Sequence, residues 1–172
     1  MTDGERIRTA LEAATSHYAA NPGDARSRDS LATASLRDGL VVQVEAPGGE
    51  RITTDMVASV GGTGSAPSPG WLLRAAEASC VATLIAMRAA TLGITLDTLE
   101  VAVDSESDDR GMLGMDDSIP AGPLTGRVQV RLTAAGVDLA TLEEMARWGV
   151  EHCPVCNALE RPVPITVEVA TT

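Results

Sequence analysis

Ser68-Pro69-Gly70-Trp71-Leu72-Leu73-Arg74-Ala75-Ala76-Glu77-Ala78-Ser79-Cys80 opens the stretch that decides the fold, and Val81 to Gly93 completes it. A serine hydroxyl can accept the free backbone N–H groups of a helix start. Proline loses nothing at the first helical position, where its missing N–H has no partner anyway. The pair predicts a helix beginning at Pro69, and Gly93 supplies the left-handed residue that ends one. About six turns lie between these signals. They are apolar nearly all round, broken only by Arg74, Glu77 and Arg88. Those charges make a poor membrane span, and a helix so apolar must be enclosed by other structure. It is too hydrophobic for the surface of a 17.8 kDa monomer, and a dimer would explain it.

Upstream, Thr2-Asp3-Gly4-Glu5 fits a capping box, with Ile7, Leu11, Ala14 and Tyr18 following at helical spacing. Residues 3–20 therefore read as an amphipathic helix stopped by Asn21-Pro22-Gly23, with His17 on its surface. A polar linker leads to strand-like segments, Leu31 to Arg37 and Leu40 to Glu45, with Asp38-Gly39 as the hairpin signal. Ala46-Pro47-Gly48-Gly49 then turns the chain into a third strand, Arg51 to Val57. Downstream, Leu96 to Val103 and Gly126 to Leu132 read as strands around an acidic loop, Asp104 to Gly122. That loop lacks the Gly and Glu that a calcium loop requires. A second helix, about Asp138 to His152, turns Leu139, Leu142, Met145, Ala146 and Gly149 inward and stops at Pro154. Val163 to Val169 alternates as a closing strand. The class is α+β: antiparallel sheets around a long buried central helix.

Composition excludes several functions. The 172 residues carry 24 acidic and 13 basic side chains, a formal charge of −11. That field repels phosphate backbones, and Trp71, Trp148 and Tyr18 are the whole aromatic complement, so nucleic-acid binding is excluded. Every cation is Arg; without Lys there is no lysine Schiff base and no Walker-type phosphate grip. The polar, mixed-charge start shows no secretory signal, so the chain is expected in the cytoplasm, off the membrane.

Three cysteines are too few for a secreted disulfide framework. Cys80 lies inside the apolar helix, where a buried cysteine is commonly inert. Cys153-Pro154-Val155-Cys156 has the spacing of a redox pair or half a zinc site. His152, Cys153, Cys156 and Cys80 could supply a tetrahedral set, although the adjacency of His152 and Cys153 strains joint ligation.

The helix motif, Pro69-x-x-Leu72-Leu73 followed by Ala75-Ala76-x-x-x-Cys80, resembles that of the OsmC/Ohr family of osmotically inducible and organic-hydroperoxide-resistance proteins. Cys153-Pro154-Val155-Cys156-Asn157-Ala158-Leu159 is similar to the family's second motif, Cys-Pro-Val-Ser-x-x-Leu. The resemblance covers roughly residues 31 to 170, so residues 1–25 become an added helix and linker and 26–172 an OsmC-like domain. It implies an intertwined homodimer without a cofactor. It also implies a cytoplasmic peroxidase for organic hydroperoxides, with Cys80 peroxidatic, Cys153 resolving and an external dithiol as reductant. An Arg from the N-terminal strands would activate Cys80; Arg37 matches that segment and Arg51 is the reserve. An aliphatic site including Trp71, Leu73, Leu84 and Met87 would favour alkyl peroxides.

Two positions depart from the family. Gly70 and Trp71 stand where a Glu would hold the Arg. Glu77 either takes that role or pairs with Arg74. Cys156 replaces Ser, either as a near-isosteric change or as a third thiol able to accept the disulfide. The alternative function is a non-catalytic dimer of the same fold that binds a small apolar ligand or senses oxidants.

Overall fold

The computed structural model describes residues 1–161 and 163–171. The chain begins with α1 (Asp3–Ala20), whose Thr2 and Glu5 form the expected capping box. A short 3-10 turn, Pro22–Ala25, follows. Strands β1 (Thr33–Asp38), β2 (Val41–Glu45) and β3 (Arg51–Thr54) then form an antiparallel sheet in sequence order. The central α2 (Pro69–Leu92) has the bounds its sequence predicts: Ser68 accepts the Trp71 N–H, and Gly93, at φ 71°, caps the end. Its length and hydropathy match a membrane-spanning helix. Here it is instead packed by α1 and by the elements that follow it.

Strands β4 (Thr98–Glu106) and β5 (Thr125–Thr133) form an antiparallel hairpin nine residues long on each side. A single helical turn, α3 (Asp109–Met112), sits in the connection, and the acidic loop is shorter than expected because Asp104–Glu106 belong to β4. Alternate residues of the hairpin, among them Leu99, Val101, Val128 and Val130, face the core. Helix α4 (Leu139–Glu151) packs on α2 beside the hairpin. Val81, Ile85 and Met145 are 0% exposed at this junction, each side chain contributing about 1.5–3 kcal/mol by burial. Gly149 makes the approach possible, because a Cβ there would overlap Ile85 Cγ1. Leu139, expected to face inward, is exposed in the first turn of α4.

Pro154 does end α4's register, but it also begins a further helix, α5 (Pro154–Glu160). Cys153 is the N-cap of α5 rather than the end of α4. Proline fits both places: it cannot continue a helix, yet its fixed φ suits the first helical residue.

Two expectations of enclosure fail within one chain. Val163 to Val169 is not a strand: no regular structure is present there, and Ile165 is 86% exposed. An alternating sequence becomes a strand only beside an edge that accepts its backbone hydrogen bonds, and this chain presents none to it. The β1–β3 sheet likewise packs on no other element to any extent, and Leu36 and Ile52 stay exposed. The central helix is thus covered by α1, α4, α5 and the β4–β5 hairpin, not by both sheets.

Candidate active site

Cys80 lies midway along α2, and the contact of α2 with α5 brings Cys153 and Cys156 to it. Cys80 packs against the buried cluster that contains Cys153 and Cys156, near enough to Cys153 for the two to influence each other's ionisation. Cys153 is 0% exposed, Cys156 is 5% exposed and Cys80 is half-buried. The Cys156 N–H donates to Cys153 Sγ at 3.3 Å, a consequence of the capping geometry. The Cys156 thiol donates to Glu77 Oε1 at 3.5 Å. Glu77 is one helical turn before Cys80 on α2, so the three cysteines and one carboxylate are gathered where α5 meets α2.

The surroundings separate the three thiols. Burial pushes the Cys80 thiol up, and the contact with Cys153 adds to the effect. Burial also opposes ionisation of Cys153, but the N–H of Cys156, the thiols of Cys80 and Cys156 and the N–H of Val155 together bring it below the ordinary thiol value. Cys156 is pushed well up by burial, by Cys153 and by the negative charge of Glu77. Cys153 is therefore the most readily ionised thiol of the cluster, and Cys80 is the member that solvent reaches.

Among the remaining predicted residues, Glu77 pairs with neither an Arg of β1–β3 nor Arg74. Arg74 instead donates to Ser105 Oγ at 3.2 Å. Arg37 and Arg51 are not at the thiols: they are 52% and 66% exposed on the detached sheet, where both contact Glu45, at 3.8 and 3.0 Å. Because that sheet does not pack on α2, neither guanidinium reaches Cys80 within one chain. Leu73 lines a cavity of about 540 Å³ together with Arg74, Glu77, Val128, Val150 and Cys156. Trp71 lines a separate cleft below the 55–68 loop, while Leu84 and Met87 line neither. No group of three or more His, Cys, Asp or Glu side chains has metal-binding geometry among the described residues. The tetrahedral set of His152 with the cysteines is not assembled: His152 Nδ1 lies 2.9 Å from the Trp148 carbonyl and its ring stacks on Trp148.

One buried residue escaped the sequence reading. Asp55, 1% exposed, accepts hydrogen bonds from the Met56, Thr63 and Ser65 N–H groups and from the Thr63 and Ser65 hydroxyls. These donors, led by the Thr63 hydroxyl, hold its carboxyl far below the usual range and fix the loop that feeds α2. Thr63 and Ser65 in a Gly-rich loop were the available signal.

The family model for OsmC-like proteins matches residues 62–168, which contain all three cysteines. The chain belongs to the OsmC-like protein family. Solved structures share the OsmC-like fold at low identity. An organic hydroperoxide resistance protein of Legionella pneumophila is 21% identical, with a TM-score of 0.57 over 78% of this chain and 90% of that one. An OsmC-like protein of Mycoplasma pneumoniae is 17% identical, with a TM-score of 0.66 over 78% and 89%. An organic hydroperoxide resistance protein of Elizabethkingia anophelis is 16% identical, with a TM-score of 0.59 over 80% and 91%. No curated protein matches.

Proposed function

We propose that this chain is a thiol-dependent peroxidase acting on organic hydroperoxides. The carrying observation is the packing of a half-buried thiol, Cys80, against the cluster that holds the fully buried Cys153. Access assigns the roles. The Cys80 thiolate attacks the outer peroxide oxygen, the O–O bond breaks, and an alcohol leaves with one proton. Cys80 is left as a sulfenic acid. Cys153, shielded from peroxide and more readily ionised than an ordinary thiol, attacks that sulfur as its thiolate; the hydroxyl leaves with a proton as water, giving a Cys80–Cys153 disulfide. An external dithiol reduces the bond and is itself oxidised. The aliphatic surroundings of Cys80 favour alkyl peroxides over hydrogen peroxide.

The raised thiol of Cys80 needs a cation, and the reading supplies it from a second copy in an intertwined homodimer. One chain exposes 12,353 Å², against roughly 8,000 Å² for a folded monomer of this mass. Exposed apolar side chains contribute to the excess on the β1–β3 sheet, at Leu36 and Ile52, and in residues 163–169, at Ile165, Val167 and Val169. A second copy packed on these segments would enclose α2 and bring Arg37 or Arg51 to the partner's thiols. The reducing cytoplasm suits such a cycle.

The test is disulfide mapping of the reduced, anaerobic protein after one equivalent of tert-butyl hydroperoxide or hydrogen peroxide. A Cys80–Cys153 bond forming faster with the alkyl peroxide, and no peroxide consumption by Cys80→Ser, are expected. Free Cys80 after mixing would overturn the reading in favour of a ligand-binding dimer, for which the 540 Å³ cavity is the available site.

A further inference from the structure

The cavity wall includes Cys156 and Glu77 but neither Cys80 nor Cys153. Cys153 has no exposed surface, so a disulfide between it and Cys80 offers a dithiol only the Cys80 side. Cys156 touches Cys153 on one side and Glu77 on the other, with the cavity beside it. We propose that Cys156, with Glu77 as its base, moves the disulfide from Cys80–Cys153 to Cys153–Cys156, where an external dithiol entering the cavity reduces it. This relay rests on the peroxidase reading of Cys80 and Cys153 given above.

The step balances without a net oxidant. Glu77 Oε1 takes the proton of the Cys156 thiol along the existing hydrogen bond. The Cys156 sulfur uses that electron pair to form a bond to Cys153 Sγ. The Cys80–Cys153 bond breaks, and its pair leaves on Cys80 as a thiolate ready for the next peroxide. One thiolate of the dithiol then attacks Cys156 and displaces Cys153; its second thiol attacks the mixed disulfide, breaks the bond to Cys156 and releases that thiol as the dithiol closes to its own disulfide. The N-cap geometry of α5 already holds Cys153 Sγ 3.3 Å from the Cys156 backbone nitrogen, so the two side chains sit at one helix terminus.

Geometry also assigns Glu77 a use that an arginine-holding role does not explain. Its carboxylate faces a thiol rather than a guanidinium, although Arg74 lies one turn away on the same helix. A carboxylate beside Cys156 disfavours a standing thiolate there, so the thiol stays protonated until it has a disulfide to attack.

The experiment oxidises the full-length reduced protein in two arms, one equivalent of tert-butyl hydroperoxide and one of diamide. Samples are acid-quenched from milliseconds to minutes, and the bonds are located by mass spectrometry. In both arms Cys80–Cys153 is expected to rise first and decay into Cys153–Cys156. Cys156→Ser, which keeps a hydroxyl for Glu77, is expected to stop at Cys80–Cys153. Glu77→Gln is expected to slow the conversion about tenfold or more at pH 7. It should also make the rate climb more steeply with pH, because hydroxide replaces the lost base.

A wild-type protein that yields no Cys153–Cys156 bond in the diamide arm overturns the relay. So does a Cys153–Cys156 bond that forms equally fast in Cys80→Ser, because it would owe nothing to Cys80. Failure of the underlying reading looks different: peroxide leaves the thiols free, while diamide still drives the bond from Cys80–Cys153 to Cys153–Cys156.

Discussion

Gly149→Ala tests the helix junction that sets the distance between Cys80 and the 153–156 segment. The added methyl would overlap Ile85 Cγ1 and stand 3.3 Å from the Ile85 backbone nitrogen. Ile85 is 0% exposed and cannot swing away, so α4 must lift from α2 or Ile85 must leave its rotamer. Overpacking of this kind costs about 1–3 kcal/mol. Replacing a helical Gly with Ala returns about 0.8–1 kcal/mol of propensity, so the net loss is about 1 kcal/mol. Ile85→Ala alone removes the opposing side chain and costs about 2–5 kcal/mol. Combined, the new methyl occupies part of the space vacated, and the double variant should be more stable than the sum by about 1–3 kcal/mol. Urea unfolding at fixed protein concentration measures all four proteins, the concentration being held because assembly would add to stability. A Gly149→Ala protein as stable as wild type, with additive behaviour in the double variant, would refute the close approach of α2 and α4.

Further outcomes can be read on the same preparations. Met145→Ala, at a site with no exposed surface, should cost about 2–5 kcal/mol in urea unfolding. Ser68→Ala removes the hydroxyl that accepts the Trp71 N–H at 3.2 Å and should cost about 0.5–2 kcal/mol. Asp55 has a folded pKa held below its unfolded value, so its contribution is complete above the ordinary Asp value of about 3.9 and fades only as pH falls toward the folded one. Amide exchange at Thr63 and Ser65 should therefore remain slow through moderately acid pH in wild type and be fast at every pH in Asp55→Asn. Light scattering should give twice 17.8 kDa, and Leu36→Asp on the exposed sheet should lower the dimer fraction; an equally dimeric variant would remove β1 from the interface.

Local signals were readable where a few neighbouring residues do the physical work. Ser68, Pro69 and Gly93 bound α2 through caps that need nothing beyond one turn, and Asp38-Gly39 turned the first hairpin as expected. Pro154 was ambiguous because the same ring stops one helix and starts the next, so α5 went unread. The valines of 163–169 alternate correctly, yet pairing depends on an edge that one chain does not present. The meeting of Cys80 with Cys153 followed from the family motifs, not from spacing. The Glu77–Cys156 contact spans 79 residues and depends on how α5 lies against α2, which no local pattern encodes. Arg37 and Arg51 sat on predicted strands, but no local pattern encodes that their sheet stands away from α2.

Helix α4 ends with Trp148 stacked on His152 at 4.2 Å between ring centroids, with Arg88 over the indole, and Cys153 follows directly. The only other indole, Trp71, is half exposed on α2. Intrinsic fluorescence of this chain thus has two sources in unlike surroundings, one of them five residues from Cys153. Emission from Trp148 registers any rearrangement that bond exchange at Cys153 transmits through His152. The proposed thiol cycle would thereby have a built-in optical reporter, followed in stopped flow without an attached dye.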